Sequence, residues 1–235
     1  MNALKILAVD SSAKTASVAL AEDGILLSEC FVNAGLTHSK TLMPMIDNTL
    51  RQADLTIKDV DAYAVNAGPG SFTGIRIGVA AIKGLALADS KPCCGISTLE
   101  SIARNFLDAD CTVCAAMDAR CAQVYTAIFE VKEGLVTRFT DDIAIPITEL
   151  SEKIKEIGSP VILAGDGAEI CYKSMKEQGL NVVLSAESRR YQRAFGTALV
   201  AFEKNEFEDS SLLAPVYLRL PQAERELKLK KGENI

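Results

Sequence analysis

The chain has 235 residues, of which 49% are apolar and 24% are charged, a composition typical of a globular protein with a sizeable core. Asp and Glu outnumber Lys and Arg by 31 to 25, so the formal net charge is −6. This balance argues against tight nucleic-acid binding by the chain alone, because phosphates are neutralised by basic side chains.

The start of the chain and its cysteine content predict where the protein resides. The apolar run at residues 6–9 is too short for the core of a secretion signal and ends at Asp10. No apolar run is long enough to suggest a membrane span, and seven cysteines, an odd number, are typical of a reduced chain. We expect a cytoplasmic protein without membrane contact.

Alternating polar and apolar residues predict three strands at the start of the chain, followed by helices that alternate with strands. Pro44 falls inside the first helical segment, and we expect the regular helix to begin near Pro44, where the missing N–H costs no hydrogen bond. The predicted elements are strands at 6–9, 16–20, 25–32, 62–65 and 93–96, helices at 39–53, 75–88 and 98–106, and a glycine-rich loop at 68–74.

The second half of the chain repeats the pattern of the first. Asp10 and Asp118 each end an opening strand and precede a turn. The favoured interpretation is a duplicated strand–strand–strand–helix–strand–helix unit, with half-domains at 1–106 and 107–235 that pack as one body. The predicted elements are strands at 112–117, 124–129, 136–139 and 161–163, and helices at 148–156, 168–178 and 188–205.

The end of the chain is rich in charge. We interpret this segment as a solvated chain end, and contact with an acidic partner is the alternative. Its basic residues are Arg219, Arg225, Lys228, Lys230 and Lys231.

The most informative segment is the glycine-rich loop, which joins a strand to a helix. Its glycines permit unusual backbone conformations and a close approach of other backbone. Free N–H groups at the helix start would form an anion-sized concavity. The loop is not a P-loop, because it lacks the Gly-Lys-Ser/Thr ending. The alternative, slightly favoured on physical grounds, is a tight turn capped by Thr73. The candidate anion or nucleotide loop comprises Asp10, Gly68, Gly70, Ser71, Thr73 and Gly74.

The helix after this loop is apolar around most of its circumference, interrupted only by Arg76 and Lys83 before its last residue. Such a helix is covered on both sides, either by its own domain or by a partner protein. With the preceding helix, which carries Met43 and Met45, it would form an apolar docking surface. The residues leave the core and interface interpretations open.

Residue types that commonly carry catalysis are sparse. His38 is the one histidine, and Cys111 and Cys114 have CxxC spacing on a predicted strand, where their side chains point to opposite faces. We therefore expect inert thiols and no metal site. Ser71 lies one place too early for the G-x-S-x-G elbow of a hydrolase.

Asp10 and Asp118 would face each other across a cleft between the halves, where actin-like and sugar-kinase-like ATPases hold magnesium nucleotide. Those folds need a second phosphate loop that contains glycine, and the matching turn here, residues 118–121, reads DARC. The GDG string at 165–167 partly resembles their adenosine loop. We predict the architecture of a nucleotide site with incomplete chemistry.

Motifs spread over the whole chain form a consistent set: ILAVDSS at 6–12, HS at 38–39 before LMPMI at 42–46, GPGSFTGIRIG at 68–78, DAR at 118–120 with VY at 124–125, GDG at 165–167 and PVYLR at 215–219. The set resembles the TsaB family, also called YeaZ. That family usually has Arg, Lys or Gly after Asp-Ala-Arg, and Cys121 departs from the pattern, which weakens a role for this turn in phosphate or tRNA contact.

The resemblance implies an α/β, duplicated actin-like ATPase fold (ASKHA, ribonuclease H-like) with two half-domains. It also implies a non-catalytic partner of TsaD, which works with TsaE and TsaC to form N6-threonylcarbamoyladenosine at position 37 of tRNAs that read ANN codons. Family members dock on TsaD through helices of the N-terminal half and dimerise through the same surface. The implied interface residues are Leu42, Met45, Ile46, Thr49, Leu50, Ile75, Ile77, Gly78, Ala81, Ile82 and Leu85.

The same resemblance implies that the isolated chain has no cofactor or metal of its own, because ATP and metal belong to the complex partners. It implies contact with tRNA only through the complex. Two alternatives remain from the residues: a stand-alone actin-like ATPase or phosphotransferase that uses Asp10 and Asp118, and a peptidase, which the single histidine disfavours.

Overall fold

The computed structural model describes residues 3–220, so Arg225, Lys228, Lys230 and Lys231 of the predicted charged end lie outside the described residues. Residues 3–220 form two β-sheets with helices on their faces. The strands are β1 (Lys5–Asp10), β2 (Ala16–Glu22), β3 (Ile25–Val32), β4 (Ala62–Gly68), β5 (Cys93–Ser97), β6 (Cys111–Asp118), β7 (Gln123–Lys132), β8 (Leu135–Arg138), β9 (Ile143–Pro146), β10 (Val161–Ala164) and β11 (Val182–Leu184). The helices are α1 (His38–Gln52), α2 (Phe72–Asp89), α3 (Thr98–Ala103), α4 (Ile147–Ile157), α5 (Ala168–Glu177), α6 (Glu187–Arg190) and α7 (Ala194–Lys204).

The first sheet has the order β3-β2-β1-β4-β5, with an antiparallel meander of β1 to β3 and parallel strands β4 and β5. Helices cover both faces, so its central strands are apolar on both sides. Leu7 and Val9 of β1 pack with α1 and α2. Ile6 and Ala8 pack with α7 on the opposite face, as the alternation of side chains along a strand requires.

The second sheet repeats this arrangement. Its order β8-β7-β6-β10-β11 corresponds strand for strand to that of the first sheet, and β9 pairs with β7 as an addition. Helices α4 and α5 cover one face, and α3 covers the other. The predicted duplication is therefore confirmed.

Two helices cross between the halves. Helix α3 lies in the first half by sequence but packs on the second sheet, and α7 lies in the second half but packs on the first sheet. The hydroxyls of Ser101 on α3 and Thr197 on α7 both donate to Oδ1 of Asn66 on β4, at 2.7 and 3.0 Å. This buried polar junction ties the halves together.

Two predicted helix boundaries are wrong. Helix α1 begins at His38 and contains Pro44, which is exposed, so the carbonyl left without a helical N–H lies toward solvent. The predicted helix at 188–205 is interrupted where Tyr191 and Arg193 have extended backbone, and α7 begins at Ala194, whose N–H donates to the buried Ser17 hydroxyl at 2.7 Å. No helix within residues 3–220 is long and apolar enough to cross a membrane.

Candidate functional site

A cleft of about 660 Å³ lies between the two halves, at the ends of the two central strands. The turn after β1, the start of α2, the turn after β6 and the segment at 216–220 form its walls. Asp118 and Asp166 line it together with the basic residues Lys14, Arg120 and Arg219. The predicted loop and turns are thus brought together at one place.

The glycine-rich loop packs directly against the turn after β1. A Cβ at Gly70 would collide with the Ser12 carbonyl oxygen, and one at Gly74 with the Ser11 carbonyl oxygen. The Ser71 N–H donates to the Ser12 carbonyl at 2.6 Å, and the Gly74 N–H donates to the Ser71 hydroxyl at 3.3 Å. Ser71 therefore caps α2 and the expected cap at Thr73 is wrong. Gly70 and Gly74 therefore allow the loop backbone to lie close to the backbone of the turn after β1. Two of the predicted anion-binding N–H groups are already bonded within the chain.

Asp10 does not face the cleft. It is fully buried, and its carboxylate accepts hydrogen bonds from the Ser12 hydroxyl at 2.9 Å and from the Asn66 side-chain amide. Burial raises the pKa of Asp10, against these hydrogen bonds, which lower it. The expected pair of aspartates facing each other across the cleft is wrong, because the fold encloses one of them.

Asp118, Arg120 and Asp166 form the polar cluster of the second half. Arg120 pairs with the Asp118 carboxylate at 3.1 Å, and the Asp118 N–H donates to Asp166 Oδ1 at 3.2 Å. Burial raises the pKa of Asp166 to about 6, and the neighbouring carboxylates of Asp118 and Asp10 add to the effect. An arginine thus occupies the turn where a second phosphate loop would need glycine.

The C-terminal strap, which we define as residues 213–220, runs from α2 to the second half. Lys83 of α2 donates to the Leu213 carbonyl at 3.0 Å, and the Val216 N–H donates to the Ala67 carbonyl at 2.8 Å. Arg219 then donates to the Ala119 carbonyl in the turn after β6 at 2.6 Å. The strap therefore bridges the two halves along one wall of the cleft.

An aromatic wall closes this side of the cleft. The rings of Phe72 and Tyr217 stack with centroids 4.6 Å apart. The Arg76 guanidinium lies 3.8 Å from the Phe72 centroid and its Nε donates to the Tyr217 hydroxyl at 2.8 Å. Cation–π contact and a hydrogen bond hold the wall in place.

Two of the residues considered for hydrolysis or metal binding, His38 and Cys114, have hydrogen-bond partners within the chain. His38 Nε2 bonds with the Ala13 carbonyl at 2.7 Å. Cys114 is buried beside the Thr126 hydroxyl, and burial raises the pKa of its thiol to about 11. Cys111 is half-buried, and burial raises the pKa of that thiol as well.

Most of the predicted interface residues lie inside the first core. Helices α1 and α2 turn these side chains toward the sheet, so they have no surface to offer a partner, and that part of the predicted interface is wrong. A charge placed at Ile82, which is fully buried, would disturb folding. The buried residues are Leu42, Met45, Ile46, Thr49, Leu50, Ile75, Gly78 and Ile82, whereas Ile77, Ala81 and Leu85 are half-buried.

The opposite side of α2 is exposed and, apart from Arg76, which packs on the aromatic wall, carries small or apolar residues. We call Thr73, Ala80, Gly84, Leu87 and Ala88 the α2 stripe; they recur at helical spacing and are all exposed. Leu87 is 74% exposed, and in the described part of the chain no atom from outside the helix's own nearby backbone lies within 4 Å of the position that a Cβ of Gly84 would take. On the neighbouring α1, Met43 is 48% exposed.

Known proteins match this chain over most of its length. A family model described as TsaD, tRNA N6-adenosine threonylcarbamoyltransferase, matches residues 32–227. The tRNA threonylcarbamoyladenosine biosynthesis protein TsaB of Bacillus subtilis (strain 168) is 32% identical over 223 residues, covering 94% of this chain and 96% of that protein. The TsaB of Escherichia coli (strain K12) is 32% identical over 180 residues, 75% of this chain and 78% of that protein. The solved structure of YeaZ from Pseudomonas aeruginosa superposes with a TM-score of 0.76 at 27% identity, over 92% of this chain and all of that one.

The repeated strand order and the cleft between the sheets define a duplicated actin-like fold of the ASKHA, ribonuclease H-like class. Within this class, the chain belongs to the TsaB (YeaZ) family of tRNA threonylcarbamoyladenosine biosynthesis proteins. Both the fold class and the family that the motifs indicate are thereby confirmed.

Some residues of the cleft could not be placed there from the sequence. Lys14 carried no sequence signal of its own, and Asp166 belongs to the GDG string, which partly resembles an adenosine loop but does not indicate a contact with the turn after β6. Tyr217 belongs to the PVYLR string, which marked the strap as distinctive but not as a wall against Phe72. A contact between residues 145 positions apart has no local pattern from which it can be read.

Proposed function

We propose that this chain is a non-catalytic partner and activator of TsaD in the complex that forms N6-threonylcarbamoyladenosine at position 37 of tRNAs reading ANN codons. Membership of the TsaB family supports this pathway. TsaE is expected in the same complex. Alone, the chain is expected to form a homodimer through the surface that otherwise meets TsaD.

The α2 stripe carries the proposal. The exposed face of a surface helix is ordinarily charged or polar, whereas Arg76, which packs on Phe72, is the one charged residue among the exposed residues of α2. Glycine in a helix interior costs about 0.5–1 kcal/mol relative to alanine. Among residues 3–220, nothing approaches Gly84 closely enough to require glycine. A partner helix that packs over this point explains both features, because a missing side chain lets two backbones approach.

Three features of the cleft support a non-catalytic role. Asp10 is enclosed, the N–H groups of Ser71 and Gly74 are bonded within the chain, and Arg120 occupies the second turn. We therefore assign ATP and metal to the complex partners. Contact with tRNA is assigned to the assembled complex.

A pair of matched substitutions tests the docking surface. Leu87 on the α2 stripe and Leu135 on the second half are 74% and 71% exposed. Leu87→Glu should abolish co-elution with the cognate TsaD in size-exclusion chromatography, because it places a charge in an apolar contact. Leu135→Glu should co-elute like the unmodified chain.

At a concentration low enough to keep the chain monomeric, thermal unfolding of both variants should match that of the unmodified chain, since both side chains then face solvent. If Leu87→Glu remains folded and co-elutes with TsaD as well as Leu135→Glu does, the α2 stripe is not the docking surface and the proposal loses its main support.

A further inference from the structure

Apart from Thr73, which also belongs to the α2 stripe, the residues that line the cleft lie outside the proposed docking surface, and basic side chains from three separate segments reach the cleft. Lys14 comes from the turn after β1, Arg120 from the matching turn after β6, and Arg219 from the C-terminal strap. Lys14 is exposed, and the Arg120 side chain is 80% exposed. In a chain of net charge −6, this grouping distinguishes the cleft as a place for an anion.

The turn that presents Arg120 is conformationally costly. Arg120, Cys121 and Ala122 have φ values of +66°, +54° and +55°. The left-handed region costs an L residue roughly 1–2 kcal/mol, and such conformations cluster at functional sites. All three residues are exposed and lie in the tight turn that joins the antiparallel strands β6 and β7, where positive φ is common. Its effect is to place an arginine beside the cleft.

The aromatic wall offers a second kind of contact. Tyr217 is 39% exposed while its ring stacks on Phe72, so part of the ring reaches the cleft. Aromatic rings that line a basic groove are the surface on which unpaired bases stack, whatever the base. The aromatic wall and the basic residues line the same cleft. One nucleotide could therefore place its base on the wall and its phosphate beside the basic residues.

Charge and size indicate how much of a nucleic acid fits. Three basic side chains, Lys14, Arg120 and Arg219, face two carboxylates, Asp118 and Asp166, which leaves one positive charge in excess. One phosphodiester carries one negative charge, whereas a nucleoside triphosphate carries several. The volume of about 660 Å³ lies within the range of small-ligand sites.

We propose that this cleft binds a single-stranded segment of RNA, with one phosphodiester between Lys14, Arg120 and Arg219 and one base against Phe72 and Tyr217. The inference rests on the proposed function, because a place in tRNA modification supplies the RNA. The net charge of the chain requires that binding outside the complex be weak and strongly dependent on salt.

The test measures binding of the full-length chain to a short fluorescein-labelled single-stranded RNA at low salt by fluorescence anisotropy. The double variant Lys14→Ala/Arg120→Ala should weaken binding by at least roughly tenfold and reduce the salt dependence, since two phosphate contacts are removed. The control Lys132→Ala/Lys173→Ala changes the net charge equally at exposed residues outside the cleft and should leave affinity within about twofold.

A second pair of variants tests the aromatic wall. Tyr217→Ala should weaken RNA binding roughly five- to a hundredfold, the usual effect of removing one stacked base. Tyr217→Phe keeps the ring, loses only the hydroxyl that accepts from Arg76, and should bind like the unmodified chain. If Tyr217→Ala fails to fold, the basic double variant still decides the question.

Three outcomes would overturn the inference. The first is that the unmodified chain does not bind RNA at low salt, and the second is that the cleft and control double variants lose equal affinity. The third is that magnesium ATP displaces the RNA at the concentration at which the chain binds magnesium ATP, because the cleft would then be a nucleotide site. Because the cleft variants leave the α2 stripe intact, they should co-elute with TsaD. Failure of RNA binding with normal co-elution therefore rejects this inference alone, and failure of the Leu87 test rejects only the docking proposal.

Discussion

Replacing Asp166 with asparagine should stabilise the folded chain at neutral pH. Burial beside the cleft raises the pKa of Asp166 from 3.8 to about 6, and the carboxylates of Asp118 and Asp10 also disfavour its ionisation. The Asp118 N–H, which donates to Asp166 Oδ1, and the Arg120 charge act in the opposite direction. The buried position thus favours the neutral form, and asparagine is neutral at every pH while it keeps an oxygen acceptor for that N–H.

The sign and size follow from linkage. Between about pH 4 and pH 6 the folded state binds more protons at Asp166 than the unfolded state does, so the free energy of unfolding falls as pH rises through this window. A pKa difference of about two units corresponds to about 3 kcal/mol. Because the residue keeps some exposure to the cleft, we expect a gain of roughly 1–3 kcal/mol for Asp166→Asn at pH 7.5 and none at pH 4.

Urea unfolding followed by circular dichroism at pH 4, 5, 6 and 7.5 measures this difference. The control Asp141→Asn, at an exposed residue, should follow the unmodified chain throughout. An Asp166→Asn variant that is less stable than the unmodified chain at pH 7.5, or whose stability keeps the same dependence on pH, would refute the reasoning.

Two further predictions concern the same substitution at two positions of α2. Gly84→Ala should raise the free energy of unfolding by about 0.5–1 kcal/mol, because the new methyl group has open space around it among the described residues, and it should weaken association with TsaD. Gly74→Ala should lower the free energy of unfolding by roughly 1–3 kcal/mol, because its Cβ would collide with the Ser11 carbonyl. Chemical denaturation of both variants checks the opposite signs; a stabilising Gly74→Ala would contradict the packing of the loop.

The strands and their repetition could be predicted from the sequence because both depend on local pattern. Alternating and continuous apolar runs place β1, β2, β4, β6, β7 and β10 close to their observed ranges. The parallel between Asp10 and Asp118 indicates the duplication, which the equal order of the two sheets confirms. The predicted boundary near residue 106 divides the sheets, but packing sends α3 and α7 across it.

The helix boundaries that failed were set by distant groups. Pro44 has the same local signal whether it begins a helix or lies on the solvent side of one, and only the packing of α1 on the sheet decides which. The predicted helix at 188–205 is broken at the extended residues Tyr191 and Arg193, and a hydroxyl on β2, 177 positions away, accepts the N–H of Ala194, where α7 begins.

The sequence by itself determined the duplicated α/β framework, the glycine-rich loop, the family and the presence of an unusually apolar α2. The tertiary structure alone decided which side of α2 faces solvent, that Asp10 is enclosed, and that Tyr217 stacks on Phe72 beside three basic residues. The reason is physical. Hydrophobic pattern and turn chemistry act over a few neighbouring residues, whereas burial and electrostatic environment depend on which remote segments pack together.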